Sequence, residues 1–103
     1  MTVGRFTPRA RRELRDAAEW VAESDPRVAE VLLLAVVRAA DMVAAKPALA
    51  RVMPELAPDR FQFWSLHGFP YLLVFDTNRT PPAVARFVHQ ARDLPVLLAN
   101  LAD

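Results

Sequence analysis

The chain has 103 residues, a formal net charge of +1 and no cysteine, and this length is typical of one domain. The absence of cysteine excludes thiol catalysis, zinc–thiolate sites and a disulfide scaffold. A net charge so near zero creates no overall field that would attract nucleic acid. No signal peptide is evident, and the longest apolar run, residues 31–37, is far shorter than the about 20 residues of a membrane span.

Two helices are predicted in the first half of the chain, after a short strand at residues 2–6. Thr7 is a typical N-cap residue and is followed by a proline, which suits the first turn of a helix over residues 8–24. Asp25 is also followed by a proline and begins a second helix, over residues 26–46. The joint between them is tight, so we expect an antiparallel helical hairpin.

The second helix is apolar around most of its circumference. Val28, Val31, Leu32 and Ala35 recur at the helical period, and Leu33, Leu34 and Val37 widen the apolar surface beyond one stripe. A helix of this kind packs on two sides. We expect one side to face the first helix and the other to face a sheet or a partner.

The hydrophobic period changes in the second half of the chain, after a proline-rich connector over residues 47–60. Residues 60–66 alternate as in a strand, and Phe63 and Trp64 therefore face opposite sides of it. Residues 71–76 are apolar on both faces, as in a central strand. Residues 84–89 form the last strand.

A short C-terminal helix is predicted from Leu94 onward. Asp93 precedes it as a candidate N-cap, and Pro95 lies in its first turn. The elements together predict an α+β fold of order β-α-α-β-β-β(-α), with an antiparallel sheet and the helical hairpin packed on one face.

Four segments carry a resemblance to a known family. They are "TPRARRELRDAAEWVAESDPRVAE", "KPALARVMPEL", "GFPYLLVFD" and "ARFVHQARDLPVLL". The last contains an R-x-x-H-x-x-R-D-L run at the end of the final strand. In these segments the chain resembles the RelE/ParE superfamily of bacterial type II toxins, on the ParE side, over nearly its full length.

The resemblance implies a single toxin domain over residues 1–103, located in the bacterial cytoplasm, without metal or cofactor. It also implies a cognate, ParD-like antitoxin as partner and no role for a membrane. The ParE branch is associated with inhibition of DNA gyrase, whereas the RelE branch cleaves mRNA on the ribosome. A decayed toxin that only binds its antitoxin is a third possibility, so the fold alone does not decide the function.

The residues favour an inhibitor over a nuclease. Metal-independent RNA cleavage needs a base, an acid and several cations at the phosphate. The chain has Pro70 and Asp76 where the superfamily often has basic residues. The candidates left for a nuclease site are Arg60, Arg86, His89 and Arg92.

Strand alternation also argues against a nuclease, because it places Arg86 and His89 on opposite faces of a regular strand. His89 then has a simpler interpretation as a hydrogen-bonded residue at a strand–helix junction. A buried arginine with apolar neighbours needs a carboxylate or several carbonyls, and Asp76 on the neighbouring strand is a candidate partner of Arg86.

A binding surface is predicted from charge and from surplus apolar side chains. Arginines cluster on the first helix, away from its apolar stripe, and surplus apolar surface on a small domain usually marks a partner site. The predicted contacts with the target or the antitoxin are Arg11, Arg12, Arg15, Leu33, Leu34, Trp64 and Arg92.

Overall fold

The computed structural model describes residues 5–101. Of the strand predicted over residues 2–6, Arg5–Phe6 is present as β1, and the rest lies outside the described residues. The predicted helical hairpin follows as α1 (Pro8–Ser24) and α2 (Pro26–Ala45).

Both helices begin as predicted, at a side-chain cap followed by proline. The Thr7 hydroxyl accepts a hydrogen bond from the Ala10 N–H at 3.2 Å. The Asp25 carboxylate accepts one from the Arg27 N–H at 2.9 Å. These bonds satisfy amide groups that the first turn of a helix leaves without a partner.

One five-stranded sheet has the order β1-β5-β4-β3-β2. The predicted antiparallel arrangement is confirmed for its last four strands, whereas β1 joins the edge of β5 in parallel. The strands and the last helix are β2 (Arg51–Val52), β3 (Phe61–Ser65), β4 (Tyr71–Asp76), β5 (Ala83–His89) and α3 (Leu94–Leu97).

Strand β2 was not predicted, because the connector was interpreted as irregular structure. It has two residues and follows a single 3₁₀ turn, Pro47–Leu49. Its pairing with β3, with Arg51 opposite Phe63, is a tertiary contact that local sequence does not reveal.

The sheet is covered on both faces, which explains why β4 is apolar throughout. Tyr71, Leu73 and Phe75 point to the α1–α2 side and belong to one core layer. Leu72 and Val74 point to the other side, where α3 and the connector complete a second layer. A strand buried on both faces reads as a continuous apolar run.

Phe63 and Trp64 face opposite sides of β3, as predicted. Phe63 is buried in the layer away from the helices, whereas Trp64 is partly buried against the helical layer.

A bulge in β5 was not anticipated by the regular alternation assumed for this strand. Val84 lies opposite Phe75 and Arg86 lies opposite Val74, so Ala85 is the extra residue. The Thr7 hydroxyl donates to the Ala85 carbonyl at 3.1 Å. A bulge shifts the side-chain phase by one residue, so residues 84 and 87 share the helical layer although they are three apart.

The outer side of α2 stays uncovered within the described chain. Its inner side is buried, with Leu32 and Val36 fully inaccessible. Val31 and Leu34 are 57% and 51% exposed. The predicted packing of α2 against the first helix and against the sheet is therefore confirmed, and the outer side is a further apolar face that points outward.

Asp93 occupies the predicted N-cap position of α3, but the prediction that its side chain caps the helix is wrong. The side chain makes no capping hydrogen bond and is exposed. Its backbone carbonyl instead accepts from the Leu97 N–H at 2.9 Å.

The two N-cap positions predict different sensitivities to alanine. Thr7→Ala removes the bond to the Ala10 amide together with the bond to the Ala85 carbonyl and should lower the free energy of unfolding by about 1–2 kcal/mol. The matched control, Asp93→Ala, removes no capping bond and should change it by less than about 0.5 kcal/mol. Urea denaturation followed by circular dichroism measures both, and equal losses would contradict the assignment of Thr7 as the stronger cap.

Candidate functional site

Arg86 is the charged residue at the centre of the fold. Its side chain is buried, with 4% exposed. The guanidinium donates to both carboxylate oxygens of Glu13, with Nη2 at 2.8 Å from Oε2 and Nε at 3.0 Å from Oε1. Nη1 donates to the Leu97 carbonyl at 2.9 Å. Arg86 therefore joins β5 to α1 and to the last turn of α3.

The prediction that Asp76 is the partner of Arg86 is wrong. Asp76 lies at the far end of β4, opposite Ala83, and its carboxylate lies 3.7 Å from Arg60 and 3.8 Å from Arg79. The prediction considered only the neighbouring strand, whereas the carboxylate comes from α1.

Glu13 was missed as a structural residue at the sequence level. Besides Arg86, it accepts a hydrogen bond from the Phe87 N–H at 3.0 Å. In the described chain, β1 pairs only with Ala83 and Val84, so Glu13 satisfies an edge amide of β5 beyond the end of β1. The available signal was its position as the single carboxylate among the arginines of residues 1–15.

Arg60 is held away from the end of β5. Its guanidinium carbon lies 4.6 Å from the centroid of the Phe61 ring, a distance typical of a cation–π contact. Its Nε is buried without a hydrogen bond and lies 3.7 Å from the Asp76 carboxylate. Arg60 is thus packed against an aromatic ring and a counter-ion.

His89 takes the structural role predicted for a strand–helix junction. Its Nδ1 accepts a hydrogen bond from the Ala91 N–H at 3.0 Å, and its ring meets the Tyr71 ring edge-on at 5.3 Å. Because Nδ1 accepts this hydrogen bond, the neutral imidazole carries its own proton on Nε2. In this geometry neither nitrogen offers a free lone pair to a substrate hydroxyl.

A cleft at the end of β5, here called the β5 cleft, brings His89 and Arg92 together. It has a volume of about 620 Å³. Neither Arg60 nor Arg86 lines it, although Glu13 and Leu97, the two partners of Arg86, do. The cleft is lined by Glu13, Asp16, Ala17, Trp20, Tyr71, Phe87, Val88, His89, Arg92 and Leu97.

The predicted separation of Arg86 from His89 is confirmed. Phe87 belongs to the helical core layer and Val88 to the opposite layer, and His89 packs against Tyr71 of the helical layer. The four nuclease candidates are therefore dispersed over three environments.

A second concave surface, here called the helix groove, lies between α1 and α2 and has a volume of about 410 Å³. Among the predicted binding residues it includes Arg11, Arg15 and Leu33. Its other lining residues are Phe6, Leu14, Ala18, Glu19, Ala22 and Ala29. The groove thus has mostly apolar lining, and its charged residues are two arginines and one glutamate.

The remaining predicted binding residues lie outside the helix groove. Arg12 and Leu34 are exposed on the helices, Arg92 lies at the β5 cleft, and Trp64 is partly buried. Their contacts with a target or an antitoxin remain predictions. Trp20 was not among them, although it is 71% exposed and lines the β5 cleft.

Residues 5–101 offer neither a cluster of metal ligands nor a helix that could span a membrane. Within that range no group of three or more His, Cys, Asp or Glu side chains is arranged to hold a metal ion. No helix in the same range has the length and apolarity needed to span a bilayer.

The Arg86–Glu13 pair predicts a large loss of stability when it is broken. Arg86→Ala leaves the Glu13 carboxylate without its buried partner and should lower the free energy of unfolding by about 3–5 kcal/mol. The matched control is Arg79→Ala, because Arg79 is 58% exposed in its pair with Asp76 and should contribute only about 0–1 kcal/mol. Urea denaturation decides, and a small effect of Arg86→Ala would contradict a structural role.

A known protein family matches most of this chain. The sequence model of the family described as "ParE toxin of type II toxin-antitoxin system, parDE" matches residues 5–94. No curated protein and no solved structure matches the chain. Because the family match covers most of its length, the chain belongs to the ParE toxin family of type II toxin–antitoxin systems, and its class of partner is an antitoxin.

Proposed function

We propose that this member of the ParE toxin family acts by binding and inhibiting DNA gyrase in the bacterial cytoplasm, and that a ParD-like antitoxin neutralises it. The observation that carries this proposal is that two of the candidate nuclease residues, Arg86 and Arg60, are bound to other residues of the fold. Arg86 is bound to Glu13 and Leu97, and Arg60 lies beside Asp76. Binding to a protein target needs neither an acid nor a base.

The chemistry of RNA cleavage supports the same choice. A phosphate in the transition state needs cations aimed at its developing charge. Arg92 is the cation of the candidate set that lines the β5 cleft. Asp16 also lines this cleft, and its carboxylate disfavours a phosphate there. The bond between His89 and the Ala91 amide further removes the base.

One observation favours the second candidate function, ribosome-dependent cleavage of mRNA. His89 and Arg92 do meet in the β5 cleft, next to Tyr71 and the exposed ring of Trp20. Aromatic faces can stack on unpaired bases. The gyrase experiment is therefore accompanied by a test for RNA cleavage, here called the RNA arm.

The helix groove supports a location for the antitoxin. Its lining is mostly small and aliphatic residues such as Leu14, Ala18 and Leu33, and it includes Arg11 and Arg15. An amphipathic helix lies in such a groove with its apolar face down. Acidic side chains flanking that face would pair with the two arginines. We therefore propose the groove as the seat of an acidic amphipathic helix of the antitoxin.

We expect the purified protein to inhibit DNA supercoiling by gyrase at micromolar concentration. His89→Ala should inhibit as well as the wild type, because inhibition by binding does not use the imidazole. The measurement is the conversion of relaxed to supercoiled plasmid with increasing toxin. Absence of inhibition at a large molar excess would overturn the proposal.

The RNA arm separates the alternatives. Primer extension on translated mRNA should show no cuts that depend on the toxin. Cuts that disappear in His89→Ala and Arg92→Ala would replace the gyrase proposal by the nuclease. Growth of bacteria that express the protein without its antitoxin distinguishes a decayed toxin, since the proposal predicts arrest.

If the antitoxin binds in the helix groove, its affinity should depend on Arg11 and Arg15. Arg11→Glu combined with Arg15→Glu should weaken binding of the antitoxin by at least about 100-fold, because two favourable pairs become repulsive. The control reverses two exposed arginines outside the groove, Arg9 and Arg79, and should change the affinity by less than about threefold. Calorimetric titration with the antitoxin encoded beside the toxin measures both, and equal losses would place the antitoxin elsewhere.

A further inference from the structure

The outer side of α2 carries an apolar stripe that nothing in the described chain covers. Val31, Leu34 and Val37 are 57%, 51% and 45% exposed. They follow one another at three-residue steps, so they lie on one face of the helix. Exposed apolar residues occur singly on many surfaces, but a continuous stripe along one helix indicates a contact surface.

The sequence of this stripe is symmetric about Leu34. Val31 lies three residues before Leu34 and Val37 lies three residues after it. Glu30 lies four residues before Leu34 and Arg38 lies four residues after it. All four side chains are exposed. The apolar pair is the same in both directions, whereas the charges have opposite signs.

This pattern is complementary to its own reverse. When two copies of α2 lie antiparallel with their Leu34 residues at the same level, each residue stands at the level of the residue equally distant from Leu34 in the other direction. Glu30 and Arg38 lie about 6 Å along the axis on either side of Leu34, given a rise of about 1.5 Å per residue. Glu30 of each copy therefore stands at the level of Arg38 of the other.

We propose that a second copy of this chain docks on the outer face of α2, antiparallel and related by a two-fold axis beside Leu34. The two Leu34 side chains meet at the centre, and Val31 lies at the level of the partner's Val37. Glu30 pairs with the partner's Arg38, and the symmetry repeats that pair on the other side. A two-fold contact of this kind uses the same surface on both copies.

Charge is the reason for choosing a second copy, and for choosing the antiparallel direction. In a parallel pair Glu30 would face Glu30 and Arg38 would face Arg38, which is repulsive. Over residues 5–101 neither side chain forms a salt bridge within its own chain. Both are thus available to a partner, and the antiparallel register satisfies both.

The proposed contact is separate from the helix groove. Leu33 lines the groove, whereas Leu34 is on the outer stripe, and consecutive residues of a helix point about 100° apart. A contact along one helix buries less than the about 800 Å² per partner of a standard interface. We therefore expect a dissociation constant in the micromolar range, on the order of 10 µM.

The test exchanges the two charges. Sedimentation equilibrium of the purified protein, from about 1 to 200 µM, should show a monomer–dimer equilibrium for the wild type. Glu30→Arg and Arg38→Glu each place like charges at the contact twice, so each should weaken association at least about tenfold. The double variant Glu30→Arg/Arg38→Glu restores opposite charges and should return the dissociation constant to within about threefold of the wild type.

Matched controls separate the contact from the change in net charge. Glu55→Arg and Arg79→Glu alter the net charge as the two single variants do, at exposed positions away from α2, and should leave association unchanged. Leu34→Asp should abolish it. Circular dichroism verifies that every variant is folded.

Two results would overturn the proposal. A wild type that is monomeric over the whole concentration range would assign the stripe to a different protein. A double variant as weak as the single variants would show that Glu30 and Arg38 do not face each other between copies.

Discussion

The buried pair between Arg86 and Glu13 is the interaction on which the rest of the structure depends. It connects three elements that are distant in sequence, because the same guanidinium also reaches the Leu97 carbonyl. The carboxylate simultaneously satisfies the Phe87 amide at the edge of β5. A charge pair removed from water stabilises a fold only when its hydrogen bonds are complete. Here the carboxylate is bound on both oxygens, and the guanidinium spans the gap between α1 and α3.

The same pair limits the chemistry available to the protein. An arginine engaged in this way cannot neutralise a phosphate without breaking the link between α1 and β5. His89 is similarly engaged through the Ala91 amide, and Arg60 through its contacts with Phe61 and Asp76. Arg86 and His89 of the R-x-x-H-x-x-R-D-L run thus serve the fold. This is the physical reason for proposing a binding inhibitor rather than a nuclease.

The surfaces left over are those expected of a protein that works through partners. The sheet needs cover on both faces and receives it from α1, α2, α3 and the connector. The α2 helix, in contrast, is apolar on more sides than the core can use. One of its flanks contributes Leu33 to the helix groove, and its outer face presents Leu34. The two proposals assign these neighbouring leucines to different partners, an antitoxin helix and a second copy.

The sequence by itself determined the elements other than β2, their order and the family. Proline and cap residues at Thr7 and Asp25 act locally, and hydrophobic period distinguishes the helices from the strands. It also separated Arg86 from His89, because alternation is a local property of a strand. Only the tertiary structure decided that β1 joins in parallel, that β5 bulges at Ala85, and that the partner of Arg86 is Glu13. The first and the last of these depend on contacts between segments more than seventy residues apart in the chain, and no local pattern encodes such contacts.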